Sequence, residues 1–157
     1  MKTSVRKACI GTLGAAALLA SVSQPVYASS QDEANVMSME ACEYPSGSKF
    51  KFTFFYSSNL KGQYRNVGYN VYDLSAVRIG GSNVGSHVLR YCGSMGPGAG
   101  MQVKNNAASA QNRHGKYKAD VHFNSGYKGA RDRLTPGSSL FRLKHTYNQN
   151  ASMKFTS

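Results

Sequence analysis

One eight-residue pattern occurs twice in this chain. FYSSNLKG, residues 55–62, is followed by HFNSGYKG, residues 122–129, and the two octets share a serine, a lysine and a final glycine. Each octet also has an aromatic residue at its second position and a large hydrophobic residue at its sixth: Tyr56 and Leu60, then Phe123 and Tyr127. An aromatic strand that ends in glycine predicts a tight turn, where Gly62 and Gly129 adopt positive φ or allow a close backbone approach.

A second pair of related segments follows the octets in the same order. Residues 105–109 read NNAAS and residues 148–152 read NQNAS. Two pairs in the same order indicate an internal duplication, whereas chance similarity in a chain rich in glycine, serine and asparagine is the alternative. The first unit is enlarged, because its octet and its asparagine–serine segment lie further apart than those of the second unit.

The rest of the chain is typical of short strands. KFKFTFFY, residues 49–56, alternates phenylalanine with polar residues, and KYKADVHF, residues 116–123, alternates again. Residues 65–79 and 88–92 are rich in β-branched and aromatic residues, with glycine-rich and Pro-Gly turns between the segments. No segment after the N-terminal region has a sustained 3.6-residue apolar period, so the pattern predicts an all-β sandwich or barrel.

The N-terminal region reads as a secretory signal peptide. Three basic residues precede a short apolar run at residues 8–22, and Val26-Tyr27-Ala28 fits a cleavage site. We expect residues 1–28 to be removed and the protein to be secreted, extracellular and free of the membrane. Residues 29–44 are polar and acidic and are expected to form a flexible leader, with the folded domain at residues 45–157.

Two cysteines remain after the signal peptide, Cys42 and Cys92. In an exported chain such a pair predicts a disulfide. Two buried free thiols are the first alternative. A two-cysteine metal site is the second, although no C-x-x-C or paired-histidine spacing accompanies the cysteines.

The positive charge is concentrated in the body of the chain. The whole sequence has a formal net charge of +12, and from residue 44 onward only Asp73, Asp120 and Asp132 are acidic. Such a body attracts acidic partners, including an acidic protein or an anionic cell wall, and the alternative is that the charge only serves solubility. No basic run is dense enough to form a nucleic-acid-binding arm, so no nucleic acid is expected.

The repeated hairpin, followed each time by an asparagine–serine segment, resembles the βγ-crystallin motif. The resemblance implies a double Greek-key sandwich of two repeated motifs with an enlarged first motif. More closely, the chain is similar to the secreted bacterial metalloproteinase-inhibitor family on that fold (peptidase inhibitor family 36), best over residues 105–129. Departures are Leu60 and His122 at aromatic positions of the octets, and Ala110 and Met153 at the final serine of each segment.

The resemblance also implies candidate calcium ligands. They are neutral side chains of the two asparagine–serine segments: Asn105, Asn106, Ser109, Asn148 and Ser152. Calcium prefers oxygen ligands that include carboxylates, so neutral ligands in a basic body predict weak binding or none. The alternative is that these residues only clasp the turns through side-chain to backbone hydrogen bonds. No other cofactor is expected.

Catalysis is not expected. The sequence has no H-E-x-x-H or G-x-S-x-G motif and no free cysteine beside a histidine. Asp120 and His122 share one face of a predicted strand, as a secreted ribonuclease would need. Such hydrolysis needs two acid–base groups and a phosphate clamp, and the body has only three carboxylates, which favours a surface or packing role for His122.

The resemblance implies a secreted, monomeric peptidase inhibitor. A contact by substrate mimicry needs an extended, rigid segment, and the candidate is residues 88–100, tethered at Cys92. Its apolar side chains are Val88, Leu89, Tyr91 and Met95, and the alternative is that residues 88–92 form a core strand. The rival function is a cationic cell-wall-binding or antimicrobial protein of the same fold.

Overall fold

A computed structural model describes residues 30–80 and 85–157 of the 157-residue chain. The expected signal peptide, residues 1–28, lies outside the described residues. Among the helices of the described residues, none is long and apolar enough to span a membrane.

The described residues form mainly short β-strands. The chain begins with helix α1 (Ser30–Met37) and a 3-10 turn (Met39–Ala41). The strands are β1 (Phe52–Ser57), β2 (Lys61–Val67), β3 (Val77–Ile79), β4 (Gly85–His87), β5 (Ser109–Asn112), β6 (Lys118–Asn124), β7 (Lys128–Leu134), β8 (Ser139–Leu140) and β9 (Ser152–Thr156).

Two antiparallel sheets carry the fold. The first has the strand order β2-β1-β5-β8, the second has the order β7-β6-β9, and β3 and β4 form a separate hairpin. The hairpins β1–β2 and β6–β7 each contain a register shift, between Phe55 and Ser57 and between His122 and Asn124. The same irregularity at equivalent positions of the two octets agrees with an internal duplication.

Each half of the chain pairs with the sheet of the other half. β8 comes from the second half and pairs with β5, with Leu140 opposite Ala110. In return, Val71 of the first half bridges to Met153 of β9, with N–O distances of 2.8 and 3.0 Å. This reciprocal pairing interlocks two Greek keys. The strand order confirms the prediction of an all-β, βγ-crystallin-like double Greek-key sandwich.

The hydrophobic core lies between the two sheets. Phe52 and Phe54 of β1 are fully buried, and their rings meet edge to face with centroids 4.9 Å apart. Leu74, Leu89 and Val103 come from the enlarged part of the first motif and are also fully buried. Each buried side chain of this size contributes roughly 1.5–3 kcal/mol. The extra residues of the first motif therefore extend the core.

The expectation of a flexible leader at residues 29–44 is wrong for the part that the structure describes. Asn35 of α1 is fully buried. Its Oδ1 accepts hydrogen bonds from the backbone N–H of Gly68 (2.9 Å) and of Tyr69 (3.2 Å), and its Nδ2 donates to the Tyr69 carbonyl (3.1 Å). One amide side chain thus satisfies three backbone groups just beyond β2, which fixes the helix to the body.

The guanidinium of Arg65 caps the C-terminal end of α1. Its Nη2 donates to the carbonyl oxygens of Asn35 (2.6 Å) and Val36 (2.9 Å), and its Nη1 donates to that of Arg90 (3.3 Å). The free carbonyls at a helix C-terminus carry partial negative charge, so a cation is favourable there. Burial lowers the pKa of Arg65 to about 10, so the group remains charged at neutral pH.

A disulfide joins the leader to the enlarged first motif. Cys42 and Cys92 are bonded, with their Cα atoms 5.5 Å apart, which confirms the predicted pairing. Near this bridge, Asn66 Nδ2 donates to the carbonyl oxygens of Glu40 (3.0 Å) and Glu43 (2.7 Å). The leader therefore belongs to the folded domain, and the predicted boundary at residue 45 does not separate a mobile segment from a packed one.

Candidate functional site

The loop at residues 92–101 lies along the outer edge of β2. Cys92 N–H donates to the Tyr64 carbonyl at 2.9 Å, and Gln63 N–H donates to the Pro97 carbonyl at 2.9 Å. These bonds satisfy backbone groups on the side of β2 that faces away from β1. The disulfide at Cys92 anchors the beginning of the same loop. The loop is thus held to the first sheet by backbone hydrogen bonds and to the leader by the disulfide.

Side chains add two further contacts to this loop. Gln63 Nε2 donates to the Met95 carbonyl at 2.5 Å, and Arg90 Nη1 donates to the Gly100 carbonyl at 3.0 Å. The backbone between these points turns tightly through hydrogen bonds from Ala99 N–H to the Gly96 carbonyl and from Met101 N–H to the Gly98 carbonyl, each 3.1 Å. A loop tied at so many points is pre-organised, so it loses little conformational freedom on binding.

The four candidate contact residues have very different exposures. Met95 is 81 % exposed, whereas Leu89 and Tyr91 are only 0 % and 3 % exposed, and Val88 is half-buried. The Tyr91 ring packs edge to face against Tyr56, with centroids 5.7 Å apart. The prediction that Leu89 and Tyr91 offer their side chains to a peptidase is therefore wrong, because both lie in the core. Met95 is the one fully exposed member of the set.

The prediction of a strand at residues 88–92 is also wrong. The structure has only an isolated bridge there, between Arg90 and Gln102. Leu89 N–H donates to the Leu74 carbonyl and its own carbonyl accepts from Val103 N–H, at 2.9 and 2.8 Å. The backbone bonds of this segment go to different parts of the enlarged motif, so no continuous ladder forms.

A serine clasps the turn of the first hairpin. Ser109 Oγ accepts a hydrogen bond from Leu60 N–H (3.1 Å) and donates to the Ser57 carbonyl (2.6 Å). Gly62 ends this turn with φ of +74°, and a Cβ there would lie 2.9 Å from Ser57 Oγ. Ser109 is fully buried, so its hydroxyl serves the turn and is withdrawn from solvent.

The second hairpin repeats this arrangement. Ser152 Oγ accepts from Tyr127 N–H (3.0 Å) and donates to the Asn124 carbonyl (2.7 Å). Gly129 has φ of +77°, in the region that disfavours other residues. Phe123, at the aromatic position of this octet, is 39 % exposed. Ser109 and Ser152 thus make equivalent contacts with the two turns, whereas Phe123 is more exposed than its equivalent, Tyr56.

The asparagines of the two repeated segments are also paired by backbone bonds. Asn105 N–H donates to the Asn150 carbonyl at 2.8 Å, and Asn148 N–H donates to the Ala107 carbonyl at 2.9 Å. Both Asn105 and Asn148 have positive φ, at 61° and 51°. The Asn106 side chain donates to two carbonyls of its own turn. Of the five candidate calcium ligands, Asn105 and Asn148 line one shared cavity of about 330 Å³.

A lysine ammonium group occupies a polar site beside this cavity. Lys104 Nζ donates to Asp73 Oδ1 (3.0 Å), Ser75 Oγ (3.2 Å) and Ser125 Oγ (3.1 Å), and Ser125 Oγ donates to Asp73 Oδ2 (2.9 Å). Burial raises the pKa of the Asp73 carboxyl, but hydrogen bonds from Ser75, Lys104 and Ser125 outweigh it and lower the pKa below its usual value. This cluster joins the enlarged first motif to the second hairpin, and the ammonium group of Lys104 is the cation at its centre.

Calcium is expected to have little effect on stability. Lys104 lines the cavity with its ammonium group already paired with Asp73, so a calcium ion near Asn105 and Asn148 would meet mainly neutral ligands. The melting temperature should change by less than about 1 °C when calcium is raised to about 5 mM, because a tight site would stabilise by several kcal/mol at that excess. Thermal unfolding with calcium and with chelator measures this. A shift of many degrees that is lost in Asn105→Ala would contradict the expectation.

The outer face of the second sheet carries a buried acid among basic residues. The Asp120 side chain is fully buried and accepts two hydrogen bonds from Arg133, both at 2.7 Å, with Arg131 Nη1 at 3.6 Å. Burial raises the pKa of Asp120, but the hydrogen bonds and charges of Arg133 and then Arg131 lower it below its usual value. Asp120 is thus engaged by two arginines, which leaves it poorly placed to accept a proton from a substrate.

His122 lies next to Asp120 on the same strand. It is 3 % exposed, and neither ring nitrogen has a hydrogen-bond partner within the part of the chain that the structure describes. Its ring packs against Tyr127, with centroids 6.2 Å apart. Burial lowers the pKa of His122 and the charge of Asp120 opposes this, so the net direction favours the neutral imidazole. The surroundings agree with the packing role expected for His122.

Sequence reasoning missed Lys104 and Arg65 as organising residues. Lys104 directly precedes the first asparagine–serine segment, so a cation adjacent to proposed cation ligands was a visible signal. Arg65 carried no such signal, because the carbonyls that it binds belong to α1 and to Arg90, which are all distant from it in the sequence.

Comparisons with known proteins concern the fold alone. No family model matches this chain, and no curated protein matches it. A solved structure described under the evolution of the eye lens βγ-crystallin domain fold is similar, with 18% identity, a TM-score of 0.49, and coverage of 69% of this chain and 87% of that chain. The N-terminal domain of protein S has 16% identity, a TM-score of 0.46, and coverage of 68% and 96%. A clostrillin double mutant in complex with nickel has 17% identity, a TM-score of 0.45, and coverage of 68% and 98%. The strand order of the two sheets carries the fold, and these similarities assign no function to the chain.

Proposed function

We propose that this protein is a secreted peptidase inhibitor that acts through the loop at residues 92–101, with Met95 as its anchor. The observation that supports this most is the combination of an 81 % exposed methionine and a loop held by a disulfide and by backbone hydrogen bonds. An exposed apolar side chain on a rigid loop is suited to act as a binding anchor, because a few residues carry most of the binding energy of an interface.

The expected target is a metallopeptidase of the thermolysin type. The resemblance of residues 105–129 to a metalloproteinase-inhibitor family motivates this choice. Met95 is unbranched and flexible, so its thioether chain adapts to the shape of an apolar subsite. Because the loop is already ordered, the complex loses less conformational entropy on forming than a free peptide of the same sequence would. We expect reversible inhibition with one inhibitor per enzyme.

The test compares two matched substitutions. Met95→Asp should weaken inhibition of a thermolysin-type peptidase by about tenfold or more, since it replaces an apolar anchor with a charge. Met39→Asp is the control, because Met39 is 86 % exposed on the 3-10 turn and outside the loop. Both variants should melt like the parent protein. Equal inhibition by both variants, or no inhibition of any enzyme in a broad panel of secreted peptidases, would remove the basis for this proposal.

A second candidate function is binding to an anionic cell wall, with an antimicrobial effect as one form of it. The observation that favours it is the row of exposed basic residues on β7: Lys128, Arg131 and Arg133. Binding that depends on net charge should fall steeply as salt is raised, whereas a methionine in an apolar subsite should remain bound. Sedimentation with purified cell walls at increasing salt distinguishes the two. Salt-sensitive wall binding without peptidase inhibition would favour the second function.

A further inference from the structure

The outer edges of the two equivalent strands β2 and β7 differ. A loop covers the edge of β2, whereas the edge of β7 is open. In the first hairpin, the loop at residues 92–101 bonds to Gln63 N–H and to the Tyr64 carbonyl. The equivalent groups of the second hairpin, counted from Gly62 and Gly129, are Ala130 N–H and the Arg131 carbonyl. Within residues 30–80 and 85–157, β7 has no backbone partner other than β6. The edge of β7 is therefore open where that of β2 is filled by an added segment.

The open edge has a strongly positive face. Arg131 lies opposite His122 in β6 and Arg133 lies opposite Asp120, so both arginines stand on the outer face of the sheet. Their side chains are 49 % and 40 % exposed, and Lys128 at the start of the strand is exposed as well. Asp120 holds Arg133 with two close bonds but lies 3.6 Å from Arg131. Donor groups thus remain available to a carboxylate from outside.

We infer that the edge of β7 binds an extended acidic segment of a partner protein by strand addition. The backbone of that segment takes the place that residues 92–97 occupy on β2, bonding to Ala130 N–H and to the Arg131 carbonyl. Side chains of an added strand alternate between the two faces of the sheet. Acidic residues at every second position therefore meet Arg131 and Arg133 on the outer face.

Charge selects the kind of partner at this edge. Basic residues on an exposed edge strand hinder pairing with a second copy of the same chain, because like charges would then face each other. The same residues attract an acidic strand. The edge therefore disfavours self-association and favours partners with acidic side chains. This inference uses the position of the loop at residues 92–101 but does not depend on the inhibitory function proposed for it.

The first experiment uses labelled peptides of alternating glutamate and threonine with the unmodified protein. Successive amides of a strand point to opposite sides, so N-methylation of alternate residues gives two peptides of equal charge, only one of which loses the amides that face β7. The peptide that loses the amides facing β7 should bind about tenfold more weakly than the other methylated peptide, which corresponds to about 1.4 kcal/mol. Equal binding by the two methylated peptides would overturn the proposal. So would the absence of binding by the unmethylated parent peptide at low millimolar concentration.

The second experiment locates the contact on the protein. Amide hydrogen exchange at Ala130 should slow when the parent peptide binds, and unchanged exchange there would contradict strand addition. The double variant Lys128→Gln, Arg131→Gln should weaken binding by about tenfold or more. The matched control, Lys49→Gln with Lys61→Gln, removes the same charge from exposed lysines elsewhere and should bind nearly as the parent. Equal weakening by both pairs would indicate attraction by net charge and overturn the inference.

Discussion

Replacing Asp132 with alanine is expected to destabilise the protein by about 3–5 kcal/mol, which is large for a single substitution. Asp132 lies on β7 and is 4 % exposed. Its carboxylate accepts hydrogen bonds from the backbone N–H of Lys144 (3.1 Å), His145 (3.0 Å) and Thr146 (2.9 Å), and from Thr146 Oγ1 (2.8 Å). Alanine would leave the two buried donors of Thr146 without their acceptor, at a cost of about 1–3 kcal/mol each. Lys144 and His145 are exposed, so water replaces the carboxylate at their N–H groups at a smaller cost.

Two further variants make this prediction specific. Asp132→Asn keeps one side-chain oxygen as an acceptor, so its loss should be smaller than that of the alanine variant. Glu43→Ala removes a carboxylate from an exposed residue and should change the free energy of unfolding by less than about 0.5 kcal/mol. Urea unfolding measures all three. A loss of less than about 1 kcal/mol for Asp132→Ala would show that the donors find other partners.

Reducing the Cys42–Cys92 disulfide is the second large effect that we expect. The bridge joins residues separated by 50 positions. On the chain-entropy account, a closed loop of that length stabilises the folded state by roughly 4 kcal/mol. For a domain of this size, the melting temperature should fall by more than about 10 °C on reduction. Calorimetry with and without reductant measures the change.

A matched variant separates loss of the bridge from side effects of the reductant. Cys42→Ser together with Cys92→Ser opens the same loop and should melt near the reduced parent. Asn35 and Arg65 still hold α1 to the body, so the unfolding transition should remain a single step at a lower temperature. Quantitative alkylation of both cysteines in protein isolated without reductant would show that the bridge does not form in the natural protein.

The fold was readable from the sequence because its signals are local and repeated. Alternation at residues 49–56 predicted β1, and alternation at residues 116–123 predicted β6, each within a few residues of its observed bounds. The final glycines of the octets marked the two turns. The octet and the asparagine–serine segment occur twice in the same order. The resemblance to the βγ-crystallin motif therefore predicted two equivalent motifs packed together.

The docked leader and the buried anchors could not be read in the same way. Polar composition predicted mobility for residues 29–44, but Asn35 and Arg65 satisfy backbone groups whose positions depend on the finished fold. Leu89 and Tyr91 were candidates for contact with a peptidase because hydrophobicity alone does not distinguish burial in the core from burial in an interface. The structure places both in the core. Arg65 and Asp132 occupy equivalent places in the repeat, yet one binds carbonyls and the other binds N–H groups.

The reciprocal pairing between the two halves has a consequence for how the chain folds. The pairing of β8 with β5 and the bridge between Val71 and Met153 form only when residues from both halves have met. The search for these distant partners costs loop-closure entropy before any contact compensates for it, which slows folding relative to a protein of local contacts. The first half emerges from the ribosome without its last partner strand. A separated half therefore exposes an incomplete sheet, and the nascent chain has to remain soluble until the final strand arrives.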